Sequence, residues 1–154
     1  MRALDKTGIY IDFKKLRRIL QRAQVCMTKS DRIIYGTPML AQCAKALGDF
    51  VMAYDFEDER TYYIKKMIAA FTVLRVDIET VNECGIIRAV SETRRSTPPE
   101  KTMLVVEKPD ILRRELSELV AKIDQGIQRY KNSVILADYR TSEEKDLMTR
   151  YNNH

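Results

Sequence analysis

The chain has 154 residues, 45% of them hydrophobic and 32% charged, with a net charge of +5; that length suits one domain with a sizeable core. Five Gly, four Pro and no Trp fit long uninterrupted helices better than short strands joined by many turns. No apolar run approaches 18 residues, which argues against a membrane span, and MRALDKTGIYIDFKK lacks a signal core, so a cytoplasmic address is expected.

The first predicted helix runs from about Asp12, as N-cap, to about Met27. Phe13, Leu16, Ile19, Leu20, Ala23 and Met27 fall at steps of three and four, one apolar stripe. Lys14, Arg18 and Arg22 make a second stripe at i, i+4 and i+8, flanked by Lys15 and Arg17. No acidic residue stands between Asp12 and Asp31. Like charges at i, i+4 cost a few tenths of a kcal/mol per pair, so an unrelieved basic stripe marks a surface with a use. The ordinary alternative is a solvated face.

The second helix lies within residues 31–55, and two starts compete. Ser30 or Asp31 caps a long helix, or Thr37 caps a shorter one with Pro38 in its first turn. Leu40, Cys43, Ala44, Leu47, Val51 and Tyr54 form its expected stripe, and Ala41, Ala44, Ala46 and Gly48 permit close helix approach. DFEDER (55–60) is an acidic turn suited to the positive end of a third helix. There Ile64, Met67, Phe71, Leu74, Ile78 and Val81 alternate steps of three and four, the strongest periodic signal in the chain. Gly85 is its expected left-handed cap.

Residues 88–108 form a long basic loop in which Pro98–Pro99 forbids helix; its length suggests a mobile or functional loop. Pro109 opens the last long helix, with Leu112, Leu116, Leu119, Ile123, Ile127 and Tyr130 as its seam. Gly126 inside it costs about 1 kcal/mol relative to Ala, which implies close packing there. The tail from about Leu136 is polar, and Thr141 with Glu144 would cap one last short helix. The expected fold is all-α: an antiparallel up-down four-helix bundle, one domain over 1–154, with its core at about 12–133, a long basic loop before the last helix and a short tail at 134–154.

The only histidine is the terminal His154, so neither a His-based acid/base pair nor a zinc site arises within the chain. GxxxxGK[ST], GxGxxG and GxSxG are missing, and the seams carry no carboxylates for a di-iron centre. The chain is therefore expected to be neither an enzyme nor a holder of cofactor or metal. Cys26, Cys43 and Cys84 fall in apolar helical patterns and are expected to pack in the core.

The excess charge is local: residues 1–30 hold eight Lys/Arg against two Asp, and residues 88–108 five against three. The candidate phosphate contacts are Lys14, Lys15, Arg17, Arg18 and Arg22, then Lys29 and Arg32, then Arg94, Arg95 and Lys101 in the loop. No aromatic platform interleaves them, so recognition is expected to be of backbone and shape rather than of base sequence.

TKSDRIIYG (28–36) is similar to a Pro/Thr-Lys-Ser-Asp/Glu-Arg-Tyr turn that precedes helix two in a bacterial family of four-helix-bundle proteins. The family comprises the intervening-sequence proteins of 23S ribosomal RNA genes and the accessory variability determinant proteins of diversity-generating retroelements. Leu74-Arg75 and Glu83-Cys84-Gly85-Ile86 resemble its third helix and the turn that follows. IDQGIQRYKNS resembles the end of its last helix, with Tyr130 where Trp is usual; Pro38 stands where members often carry a helical Arg. The resemblance covers roughly residues 12–133. It implies a homopentamer that binds RNA or DNA and works with a reverse transcriptase and template RNA in mutagenic copying. The alternative is a structural or protein-interaction bundle of the intervening-sequence type, without a nucleic-acid role.

Overall fold

The computed structural model describes residues 7–90 and 107–152. Arg94, Arg95 and Lys101, with most of the 88–108 segment, lie outside the described residues. Among these residues all regular structure is helical. Four long helices account for nearly all of it: α1 (Gly8–Ala23), α3 (Thr37–Asp55), α4 (Arg60–Glu83) and α5 (Pro109–Asn152), with α2 (Lys29–Asp31) a single lead-in turn.

The first helix begins one turn before the expected Asp12. Thr7 is its N-cap residue, and the apolar stripe reaches back to Ile9, which is buried. Burying that extra turn favours the longer helix. Asp12 therefore lies inside α1, only 4% exposed, with a carboxylate oxygen 3.3 Å from Lys122 Nζ.

Neither competing start of the second helix is the one adopted. Thr28 is the cap, its hydroxyl accepting the Asp31 N–H at 3.2 Å. From Lys29 the backbone stays helical to Asp55, passing through a π turn at Arg32–Gly36. Pro38 follows directly, in the first turn of α3. The π turn already shifts the bonding ladder, so the proline's missing donor and bulky ring are absorbed without a break. Gly36 sits in a close approach there: a Cβ would stand 3.2 Å from Gln24 Cγ and 3.3 Å from Met27 Sδ.

The buried row of α3 is Met39, Cys43, Ala46, Phe50 and Ala53, which shares only Cys43 with the expected stripe. Leu40, Leu47, Val51 and Tyr54 are half-buried and Ala44 is exposed. Flanked by both α1 and α4, α3 buries this row most deeply and leaves Leu40, Leu47, Val51 and Tyr54 at its edges. All six expected residues of the α4 seam are buried. Gly85 takes φ +64°, and the Ile86 N–H closes the helix end on the Val81 carbonyl at 3.1 Å. Cys84, expected in the core, is exposed because it occupies the C-cap position, beyond the last turn of the seam.

In α5 the expected seam is buried from Leu112 to Ile127, and Tyr130 is half-buried, edge-on to Phe50 with centroids 5.7 Å apart. Burial, with Tyr54 beside it, pushes the Tyr130 hydroxyl up to about 12. The helix runs unbroken to Asn152, so Thr141 and Glu144 lie within it and cap no separate tail helix. No Gly or Pro stands between Ile127 and Asn152 to stop it.

α3 packs on α4, α4 on α5, α5 on α1 and α1 on α3, enclosing a core centred on Phe13, Phe50 and Phe71. Phe13 and Phe71 meet edge-to-face at 5.9 Å. At Gly126 an added Cβ would lie 2.8 Å from Ile9 Cγ1, which is the expected close approach. Among the described residues no helix is long and apolar enough to cross a membrane.

Candidate nucleic-acid interface

With its apolar stripe buried against α3 and α5, α1 turns its other side to solvent. Lys14, Lys15, Arg17, Arg18 and Arg22 are all exposed on that side. Lys14, Lys15, Arg17 and Arg18 make the crest of α1, and Lys15 and Arg18, with Arg22, line its side toward α5. Lys14 Nζ sits 5.3 Å from the centre of the Tyr10 ring, a contact that steadies the ammonium while leaving it charged. No ion pair to Lys14, Lys15, Arg17 or Arg18 forms among the described residues.

Arg22 differs from the rest of the stripe. Its Nε and one terminal nitrogen each donate to Glu107 at 2.9 Å, and the other lies 3.7 Å from Glu115. The paired hydrogen bonds raise the Arg22 pKa and hold the Glu107 carboxyl below its ordinary value. A planar guanidinium matched to a carboxylate in this way is committed to it, so Arg22 contributes less to an anion-attracting field than its place in the stripe suggests.

Between α1 and α5 runs an open groove of about 410 Å³, walled by Lys15, Arg18 and Arg22 on one side and by Glu115, Glu118 and Lys122 on the other. Its lining carries four cations against two carboxylates; Arg22 and Lys122 are paired with Glu107 and Asp12, so the attraction for a polyanion rests on Lys15 and Arg18, together with Lys14 and Arg17 beside them. Lys29, in the turn of α2, is exposed and Arg32 is half-buried where the π turn begins. Five of the expected contacts thus share one helix face, with Lys29 and Arg32 displaced into the turn beyond its end.

Sequence reasoning missed Glu107, Glu115 and Lys122, which set the charge balance beside the crest. Glu107 lies just before α5; the spacing of Glu115 and Lys122 along α5 marks an outward row, but nothing local reveals that the row faces α1 rather than water. Among the described residues no cluster of His, Cys, Asp and Glu is placed to hold a metal ion. The chain matches no family model, no curated protein and no solved structure.

Proposed function

We propose that this chain is a non-enzymatic accessory protein that binds RNA or DNA through the crest of α1. By resemblance, it serves a reverse transcriptase during mutagenic copying in a diversity-generating retroelement. The same reading arranges the four helices as an antiparallel up-down bundle and the assembled protein as a homo-oligomer, a pentamer in the family that TKSDRIIYG resembles. The observation that carries the nucleic-acid reading is the crest itself: four exposed cations on one rigid helix, none of them in an ion pair among the described residues. Rigid placement matters because ordering a phosphate partner costs less when the cations are already aligned. Non-specific affinity of this kind comes from neutralised phosphates and released counterions.

The test is a comparison of two charge reversals in full-length protein. K14E/R18E removes crest cations and is expected to weaken binding to structured RNA or duplex DNA by at least tenfold. R22E removes a cation already held by Glu107 and is expected to have the smaller effect. Equal affinity of K14E/R18E and wild type would refute the reading.

One observation favours the second reading, a protein-interaction bundle. Ile33 and Ile34 are 66% and 57% exposed on the π turn, side by side within the TKSDRIIYG stretch. Two large aliphatic residues on an irregular helical turn form a small docking point suited to a protein surface. On that reading the α1 reversals leave partner binding unchanged, whereas I33S/I34S abolishes it.

A further inference from the structure

On the side of α1 that faces α5, Lys15, Arg18 and Arg22 follow one another at steps of three and four and line one wall of the groove. Arg22 extends this row by one turn, about 6 Å along the helix axis beyond Arg18. A polyanion that engages Lys15 and Arg18 runs directly onto it. Yet of the three only Arg22 has ion pairs among the described residues.

The group that holds Arg22 presents the same pair of oxygens that a phosphate would. One oxygen of Glu107 accepts from Nε and the other from a terminal nitrogen, each at 2.9 Å. Phosphates take a guanidinium in this two-pronged way. Glu115 stands 3.7 Å from the remaining nitrogen, so a second carboxylate faces the third donor. The Arg22 side chain is 47% exposed, within reach of solvent. What denies it to an outside anion is the carboxylate, not burial.

We infer that Glu107 is an internal competitor for phosphate at Arg22: it occupies the guanidinium fork in place of a phosphate and so limits how many phosphates α1 engages. The inference rests on the nucleic-acid reading for the identity of the polyanion. A carboxylate carried on the same chain acts at a high effective concentration and loses little freedom on pairing. Each backbone phosphate brings one negative charge, no more than the carboxylate it has to displace. Specificity is gained by repulsive elements as well as attractive ones, and such an element beside the basic row keeps non-specific affinity low. Loss of Glu107 is therefore expected to raise affinity, whereas a merely structural ion pair leaves binding unmoved.

The experiment is a double-mutant cycle in the full chain, with R22Q, E107Q and R22Q/E107Q titrated with fluorescent structured RNA across salt concentrations. E107Q is expected to bind about three- to tenfold more tightly than wild type, with a slope of log affinity against log salt steeper by about 0.7–0.9, one added phosphate contact. R22Q/E107Q is expected to lose that gain. E118Q removes from the same groove a carboxylate that forms no ion pair among the described residues, and is expected to gain about twofold or less. A second arm uses inorganic phosphate alone and follows the Arg22 Nε–H resonance, identified by its absence in R22Q. The resonance is expected to shift in E107Q and to stay fixed in wild type at the same phosphate concentration. Circular dichroism melts establish that each variant is folded. Equal RNA affinity of wild type and E107Q, a gain that survives in R22Q/E107Q, or an Arg22 resonance indifferent to phosphate in E107Q would overturn the inference while the nucleic-acid reading stands. No RNA binding by wild type or any variant would refute the nucleic-acid reading, and the phosphate arm alone would then decide whether Glu107 closes an anion site.

Discussion

Arg22 and Glu107 are 85 positions apart in the chain, yet their pairing decides how much one member of the basic stripe can do. Glu107 loses its proton more readily in the folded chain than in the unfolded one, because Arg22 hydrogen-bonds its carboxylate. A depressed folded-state value means that the stabilisation is complete above the ordinary carboxylate range. It drains away as pH falls through the lowered value. With the Arg22 side chain 47% exposed, the pair contributes about 1 kcal/mol or less. E107Q is therefore expected to melt slightly below wild type at neutral pH, with the difference closing in strong acid; thermal melts across pH check this.

Gly126 and the cysteines make sharper tests at the same scale. G126A gains helix propensity of about 1 kcal/mol, but drives a methyl into Ile9, and overpacking costs about 1–3 kcal/mol. It is expected to lower the melting temperature in the wild-type background and to raise it when Ile9 is also Ala, a sign change that differential scanning calorimetry reads directly. Among the thiols, Cys43 is buried and pushed up to about 12, and burial also raises the pKa of Cys26. The thiolate is the reactive form. Brief alkylation of the native protein, followed by mass spectrometry, is expected to modify Cys84 and to spare Cys26 and Cys43 until denaturant is added.

At the scale of elements, what was legible depended on how closely each helix keeps to one repeat. The α4 seam was readable residue by residue because it holds a strict 3.5-residue pattern from Ile64 to Val81, and Gly85 marked its end for the left-handed cap that only glycine adopts easily. The helix starts were less legible. Asp12 has the chemistry of a cap, but a buried Ile9 extends the helix past it; Ser30 and Asp31 likewise yield to Thr28. Caps contribute about 1 kcal/mol, and an extra buried apolar residue outweighs them. The α3 stripe was misread because a helix with two neighbours buries a broad face, so periodicity alone does not say which edge is deepest. The π turn has no simple sequence signal; Pro38 hinted at an irregularity without locating it. T28A is expected to destabilise the protein by about 1 kcal/mol in urea melts, whereas S30A, at the other proposed start, is expected to stay within about 0.5 kcal/mol of wild type.

For the whole molecule, four helices around one core leave α1 with a cationic side turned to solvent. The basic stripe was visible in the sequence because charge spacing on one helix is a local property. Its effective size was not, because the acids that flank it, Glu107 just before α5 and Glu115 within it, meet α1 only through tertiary packing. Binding to nucleic acid is accordingly expected to fall mainly to Lys14, Lys15, Arg17 and Arg18, with Arg22, held by Glu107, contributing little. Each phosphate these residues neutralise releases counterions, so affinity falls with salt in proportion to the number of contacts. The most direct measurement is a titration of fluorescent structured RNA and duplex DNA at a series of salt concentrations, for wild type and K14E/R18E. The account predicts a steep negative slope of log affinity against log salt for wild type, shallower by about 1.4–1.8 for the double variant, at about 0.7–0.9 per lost contact. A flat dependence, or one that the two substitutions leave unchanged, would contradict it.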